Sequence, residues 1–164
     1  MPGRARRAAG LWLAPAALLL WWLAPAEART FGDPVAYCRA VGTIDRPDAR
    51  YAGPKLPPWM AAKLGLPPDA GERIEWRCAR GAVLACVYGA NLPCGSKAVT
   101  SRRPTAAITR FCRENPDARF VPMVVTGHET VVSWRCRGKR PMVAHVGATD
   151  AQGYAIQYWK RVAP

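Results

Sequence analysis

Residues 74–87 read IEWRCARGAVLACV and form the clearest local pattern in the chain. Apolar and polar side chains alternate from Ile74 to Cys78, and a second apolar run follows Gly81. A period of two is typical of a strand that buries one face, and glycine readily takes the positive φ of a tight turn. The stretch from Glu72 to Gly89 is therefore predicted to be a β-hairpin that turns at Arg80-Gly81.

The last third of the chain repeats this kind of pattern. Predicted strands at Phe120 to Thr126 and Thr130 to Cys136 flank the turn Gly127-His128-Glu129, and predicted strands at Met142 to Val146 and Tyr154 to Val162 flank a turn at 150–153. The tripeptide Trp76-Arg77-Cys78 recurs as Trp134-Arg135-Cys136, again shortly before a glycine (136 − 78 = 58 residues later). Duplication of a hairpin and independent reuse of a good strand sequence both explain the repeat.

One main helix is predicted from about Ala106 to Asn115. Thr105 precedes it as a cap, and three apolar residues within it fall at i, i+3 and i+4, which gives one buried stripe. A shorter helix is expected from Pro58 to Leu64, and the proline-rich residues 29–58 are expected to form an irregular arm.

The predicted elements follow the order β-β-α-β-β-β-β. This order favours an α+β fold, an antiparallel β-sheet of about six strands in hairpins or a meander, with one main helix across a face and disulfides as staples.

Residues 1–28 have the organisation of an export signal. Three arginines precede an apolar run from Leu11 to Leu23, and Ala26-Glu27-Ala28 offers a cleavage site of the A-x-A type. Cleavage there would leave residues 29–164 as a single disulfide-stabilised domain in the bacterial periplasm or the medium. No later stretch is long and apolar enough to span a bilayer, so no stable membrane insertion is expected after cleavage.

The chain is strongly basic. It contains 24 Lys and Arg against 11 Asp and Glu, and residues 29–164 keep 21 against 10, a net charge of 21 − 10 = +11. Positive charge attracts anionic partners, and the expected partner is an acidic protein or an anionic polysaccharide of the envelope rather than nucleic acid. The alternative is diffuse charge that only confers solubility. The one dense run, Arg135 to Arg140, is expected to point to solvent from a strand-turn-strand.

All six cysteines follow the predicted signal, so three disulfides and no free thiol are expected in an oxidising compartment. The expected pairs are Cys94–Cys112, Cys78–Cys136 and Cys38–Cys86, with Cys38 tying the arm to the sheet. No C-x-x-C motif is present and the two histidines lie far apart in sequence, so neither a cofactor nor a metal site is expected.

The loop Asn91 to Arg103 is the candidate partner-binding site. It is polar, and it carries Lys97, Ser101, Arg102 and Arg103 just before a helix N-terminus, where backbone amides favour anions. A plain surface loop held by Cys94 is the alternative.

His128 and Glu129 are the candidates for catalysis. An adjacent imidazole and carboxylate have the chemistry of a base and its orienting group. No serine or cysteine with the spacing of a nucleophile accompanies them, so a solvated turn is the alternative.

The stretch from Tyr37 through Tyr158 resembles a group of uncharacterised exported bacterial proteins, a resemblance that implies no particular activity. The residues that carry it are Tyr37-Cys38, Gly42-Thr43-Ile44-Asp45, Asp48-Ala49-Arg50-Tyr51, Gly89-Ala90-Asn91-Leu92-Pro93-Cys94, Val125-Thr126-Gly127-His128 and Ser133-Trp134-Arg135-Cys136. A Trp-Arg-Cys strand before a glycine turn is also similar to strands of the bacterial C-type lysozyme inhibitors. That match is local, and their inhibitory loop sequence is not present.

These observations favour an exported, small, basic, non-enzymatic binding protein. Two alternatives remain open: a small secreted hydrolase that acts on an anionic polymer, and a secreted inhibitor of the lysozyme-inhibitor type. The positive charge speaks against the inhibitor, because C-type lysozymes are themselves basic and would be repelled.

Overall fold

The structure of the protein is a computed structural model that describes residues 29–67, 69–89 and 94–164. The predicted export signal at residues 1–28 lies outside the described residues. Across the described ranges, no helix combines the length and the apolar character that crossing a membrane requires.

The first sheet is built on the predicted hairpin. Strands β1 (Ile74–Ala79) and β2 (Ala82–Val87) pair antiparallel, and β5 (Lys160–Val162) pairs antiparallel with the other edge of β2. Arg80 and Gly81 make the turn with φ angles of 49° and 75°, as the sequence predicted. The hairpin prediction is confirmed.

The second sheet is a separate two-stranded ribbon. Strands β3 (Val132–Arg137) and β4 (Arg140–Val146) pair antiparallel. Helix α3 (Ala106–Glu114) packs on one face of this ribbon, where Ile108 and Cys112 meet the buried side chains of β3. Thr105 caps α3 as predicted, since its Oγ1 accepts a hydrogen bond of 3.2 Å from the amide of Ile108.

The prediction of one sheet of about six strands is corrected to two antiparallel sheets, with five strands among the described residues. Residues 120–126 are not a strand, because Pro122 cannot donate to a ladder and instead precedes the one-turn helix α4 (Met123–Thr126). Val121 is buried in the second core, but Phe120 and Val124 are 69% and 86% exposed, so the run does not alternate as a strand with one buried face would. The stretch Tyr154 to Val162 is a strand only in β5, after a 3₁₀ turn at Ile156–Tyr158.

The arm is more regular than predicted. Helix α1 (Pro34–Val41) begins at Asp33, whose Oδ2 accepts a hydrogen bond of 2.8 Å from the amide of Ala36. Proline at the first helical position is compatible with a helix because the amide that it removes has no partner there. Asp33-Pro34 therefore starts a helix within the arm that the sequence predicted to be irregular. The predicted short helix is confirmed as α2 (Pro58–Lys63).

Three disulfides join all six cysteines, as expected, but the predicted pairing is wrong. In place of Cys94–Cys112, Cys78–Cys136 and Cys38–Cys86, the bonds are Cys38–Cys78, Cys86–Cys94 and Cys112–Cys136. Cys78 and Cys136 occupy equivalent positions in different sheets and do not meet. Each sheet instead bonds to the element next to it: β1 to α1, β2 to the loop that follows it, and β3 to α3. The prediction that Cys38 ties the arm to the sheet is correct, with a different partner.

Two main cores result from this arrangement. The first lies between α1, α2 and the first sheet, around Tyr37 and Trp76. The second lies between α3 and the ribbon, around Trp134. The last residues of the chain return to the first sheet, where Tyr154 and Trp159 pack near the Cys86–Cys94 bond.

Candidate functional site

The predicted binding loop does not present its four polar residues as one charged group. The Nζ of Lys97 lies 3.0 Å from Oδ2 of Asp45, so its charge is already matched. Ser101 accepts a hydrogen bond of 3.3 Å from the amide of Arg103. Arg102 and Arg103 are exposed and take part in none of the ion pairs recorded among the described residues. Anion binding by this loop stays a prediction.

The two catalytic candidates are exposed in the turn before β3. The amide of Val99 donates to the backbone carbonyl of Glu129, so the main chain of Glu129 takes part in a structural hydrogen bond. A cavity of about 460 Å³ beside the ribbon is lined by His145, Ser133 and Tyr158, among others, but not by His128. Among the described residues, this cavity therefore adds no reacting partner to the His128-Glu129 pair.

The outer face of the ribbon is basic. In β3 the side chains of Val132, Trp134 and Cys136 are buried, and those of Ser133, Arg135 and Arg137 point to solvent. Residues directly opposite each other in an antiparallel pair share a face. The β3–β4 register therefore adds three residues of β4 to the outer face: Arg140 opposite Arg137, Met142 opposite Arg135, and His145 opposite Ser133. We call these six outward residues the basic ribbon face.

No described carboxylate forms an ion pair with the arginines of this face; the recorded pairs involve Arg50, Arg77 and Lys97 instead. At the hairpin tip, Asp117 accepts a hydrogen bond of 2.7 Å from the amide of Gly138. Residues 99–147 as a whole carry nine Lys and Arg against three Asp and Glu. The arginine charges are therefore open to an external anion.

Arg77 in β1 differs from the arginines of the basic ribbon face, because it is buried and paired with an acid. It is 0% exposed, although the same position of the second Trp-Arg-Cys tripeptide, Arg135, is exposed. One guanidinium nitrogen donates to Gln152 and another forms an ion pair with Asp150. The guanidinium carbon lies 4.4 Å from the ring centroid of Tyr154 and 4.3 Å from that of Trp159, in the corner that the two rings form.

A chain of polar contacts connects this arginine to the binding loop. Gln152 accepts from Arg77 and donates a hydrogen bond of 2.8 Å to Asp45, which in turn pairs with Lys97. Asp150 also accepts from the amides of Gln152 and Tyr154, at 2.9 and 3.0 Å. The chain spans four separate segments of sequence, so it holds the turn at 150–153 against the first sheet.

The pKa values of the acids in this chain follow from their contacts. Burial raises the pKa of Asp150, but the amide of Tyr154 and the charge and hydrogen bond of Arg77 outweigh it, so the pKa lies below its usual value. Burial likewise raises the pKa of Asp45, and the contacts from Lys97 and Gln152 reverse this to a net lowering. The pKa of Lys97 is raised, chiefly by its hydrogen bond to Asp45.

Acid should therefore destabilise the protein. A carboxyl whose pKa is lower in the folded state stabilises above its unfolded pKa of about 3.9 and loses that contribution as pH falls through the folded value. We expect the Tm of the disulfide-intact protein to be flat near neutrality and to fall below about pH 4. The double variant D45N/D150N should melt lower at neutral pH, and its curve should converge with that of the parent in acid. Parallel curves for the two proteins would contradict this assignment.

Sequence reasoning missed Arg77 because it shares the outward register of Glu75 and Ala79 in an alternating strand. Its partners, Asp150, Tyr154 and Trp159, lie more than seventy residues further along the chain. By contrast, the exposure of the dense basic run at 135–140 was predicted and is confirmed.

Comparison with known proteins adds no family to these observations. No family model matches the chain, and neither a curated protein nor a solved structure matches it. Within the described ranges there is no cluster of three or more His, Cys, Asp or Glu side chains that would hold a metal ion.

Proposed function

We propose that this chain is an exported, non-enzymatic binding protein whose basic ribbon face binds an anionic polysaccharide in the periplasm or the medium. The observation that carries the proposal is the set of three outward arginines, Arg135, Arg137 and Arg140, none of which forms an ion pair with an acid in the part of the chain that the structure describes. The proposed compartment rests on the three disulfides, which persist in oxidising environments outside the cytoplasm.

The spacing of the arginines supports a linear ligand. Arg135 and Arg137 lie two residues apart on one strand, about 6.7 Å, and Arg140 faces Arg137 across the hairpin. A row of guanidinium groups suits a polymer that carries one carboxylate or sulfate per repeat, because each planar fork can bind one such group with two hydrogen bonds. Met142, 39% exposed beside Arg135, adds an apolar contact for a sugar ring.

The backbone of the ribbon is also held in a fixed conformation. Its buried face packs on α3, and the Cys112–Cys136 bond joins the helix to β3 directly behind the arginines. A backbone held in its binding conformation loses less entropy on association, which favours affinity. The like-charged pair Arg137 and Arg140, directly opposite each other, is unfavourable in the free protein, and a bound anion relieves it.

Binding should be measured with polygalacturonate, a polymer of carboxylate sugars, at low and at physiological salt. We expect salt-sensitive binding, because surface ion pairs are screened. The triple variant R135S/R137S/R140S should bind about tenfold more weakly, since three exposed ion pairs of about 0.5 kcal/mol each amount to a factor of ten. A matched variant, R39S/K63S/R73S, removes the same charge from the other half of the molecule and should change binding little.

Further measurements distinguish this proposal from its alternatives. Equal loss in both triple variants would mean that net charge alone attracts the polymer and that the ribbon is not a site. Tighter binding of poly-L-glutamate than of polygalacturonate would identify the ligand as an acidic protein. Tighter binding of duplex DNA would identify it as nucleic acid. The variant R102A/R103A tests the loop predicted from the sequence. New reducing ends in the polymer during incubation would favour the hydrolase.

A further inference from the structure

A cavity of about 480 Å³ opens on the first sheet, on the face opposite its main core, and nothing in the proposed function uses it. Its volume lies in the range of small-molecule sites. Its polar and charged lining includes Thr43, Arg77, Arg80, Asp150 and Arg161. Its apolar lining includes Leu84, Ile156 and Trp159.

The register of the first sheet places the floor of this cavity. Arg77 in β1, Leu84 in β2 and Arg161 in β5 are successive partners across the three strands, so they lie in one row on one face. Two neighbouring strand spacings separate the outer members, which places their backbones about 10 Å apart. The floor is thus the side chain of Leu84 between the exposed Arg161 and the fully buried Arg77, and Trp159 shares the face of Arg161 because it lies two residues before it.

The cavity carries excess positive charge. Its three arginines face one carboxylate, that of Asp150, and the oxygens of Asp150 already accept from Arg77 and from two backbone amides. Arg80 and Arg161 are exposed and belong to none of the ion pairs recorded in the described ranges. Thr43 accepts a hydrogen bond from the amide of Arg80 through Oγ1, so its hydroxyl hydrogen remains available to an acceptor. These groups all favour an anion at the mouth.

The apolar part of the cavity lining also indicates what kind of ligand fits. Ile156 is 50% exposed at the edge of the cavity, an unfavourable position for a large aliphatic side chain in water. Its neighbours Leu84 and Trp159 continue the apolar surface inward. We infer that the cavity binds a small amphipathic anion, with its carboxylate or phosphate group at Arg80 and Arg161 and its apolar body against Leu84 and Ile156. This site is separate from the basic ribbon face.

The test uses the oxidised protein and NMR signals of Ile156 and of the Trp159 indole. The probes are 3-phenylpropionate, phenyl phosphate, the uncharged 3-phenylpropanol and inorganic phosphate. We expect saturable shifts with the two aromatic anions and much weaker binding of 3-phenylpropanol and of inorganic phosphate. The tighter of the two aromatic anions identifies the head group as carboxylate or phosphate.

Two double variants test whether the ligand binds in this cavity. R80Q/R161Q should weaken binding of the better anion about tenfold, because charge-assisted hydrogen bonds are lost. K63Q/K160Q, with the same change in net charge and one residue on the adjacent position of β5, should stay within about twofold. Unshifted Ile156 and Trp159 signals, equal binding of 3-phenylpropanol, or loss of binding in R135S/R137S/R140S instead would each overturn the inference. Since that ribbon variant tests the proposed function separately, either idea can fail alone.

Discussion

Full reduction of the three disulfides is expected to unfold the protein at about 25 °C without denaturant. The loops that the bonds close span 40, 8 and 24 residues and do not overlap, so their effects on the unfolded chain are independent. The chain-entropy relation assigns them about 3.9, about 2.5 and about 3.5 kcal/mol, together about 10 kcal/mol. Domains are typically stable by about 5–15 kcal/mol in total, so a loss of about 10 kcal/mol removes the whole stability of a domain in the middle of that range.

The same relation predicts an order for single bonds. Replacing both cysteines of a pair with alanine should cost most for Cys38–Cys78, less for Cys112–Cys136 and least for Cys86–Cys94. Chemical denaturation of the three double variants measures the order. Mass spectrometry after alkylation without reductant is the control on the parent, which should gain no label because no free cysteine is present. A reduced protein with an unchanged melting transition would show that the cores suffice without the bonds.

The parts of the fold that the sequence predicted correctly depend on neighbouring residues. The β1–β2 hairpin needs only an alternating pattern and the Arg80-Gly81 turn, and α3 needs only a buried stripe and the Thr105 cap. Helix α1 was missed although its signal is just as local. The prediction of an irregular arm treats proline as a helix breaker, whereas a proline at the first helical position beside the Asp33 cap marks a helix start.

The pairing of cysteines and of sheets could not be predicted in this way. Cys78 and Cys136 follow identical residues, and that likeness suggested that they meet. Each hairpin instead buries its tryptophan and cysteine against its own helix, α1 or α3, so the two strands never become neighbours. Six cysteines permit about fifteen pairings, and only the packing of the helices selects one.

The candidate site also contains residues whose place the local sequence predicts and residues whose place depends on the tertiary structure. The basic ribbon face follows from the alternation of β3, in which every second residue is exposed. The position of Arg77 follows from the return of the chain end to the first sheet, where Tyr154 and Trp159 cover the outer face of β1. No local pattern distinguishes Arg77 from Arg135. Only the tertiary neighbours do, which makes the two arginines a matched pair for mutation.

Replacing Arg77 with alanine is expected to cost about 3–5 kcal/mol of unfolding free energy, whereas R135A should change it by no more than about 0.5 kcal/mol. Arg77 is fully buried; its removal leaves Oδ2 of Asp150 and Oε1 of Gln152 without their guanidinium donors and opens a void in the corner of the two rings. Arg135 loses only solvent contact. Chemical denaturation of the oxidised variants measures both costs under identical conditions.

A third variant separates charge from packing at the same position. R77M keeps most of the volume against Tyr154 and Trp159 but leaves the carboxylate of Asp150 without its arginine, so a large part of the cost should persist. R77M/D150N removes that charge as well, and an apolar replacement of a buried ion pair is often close to neutral. The double variant should therefore recover most of the loss, because the amide oxygen introduced by D150N still accepts from the backbone amides of Gln152 and Tyr154. If R77M/D150N is as unstable as R77A, the aromatic contacts of the guanidinium, and not its pairing with Asp150, hold the end of the chain on the first sheet.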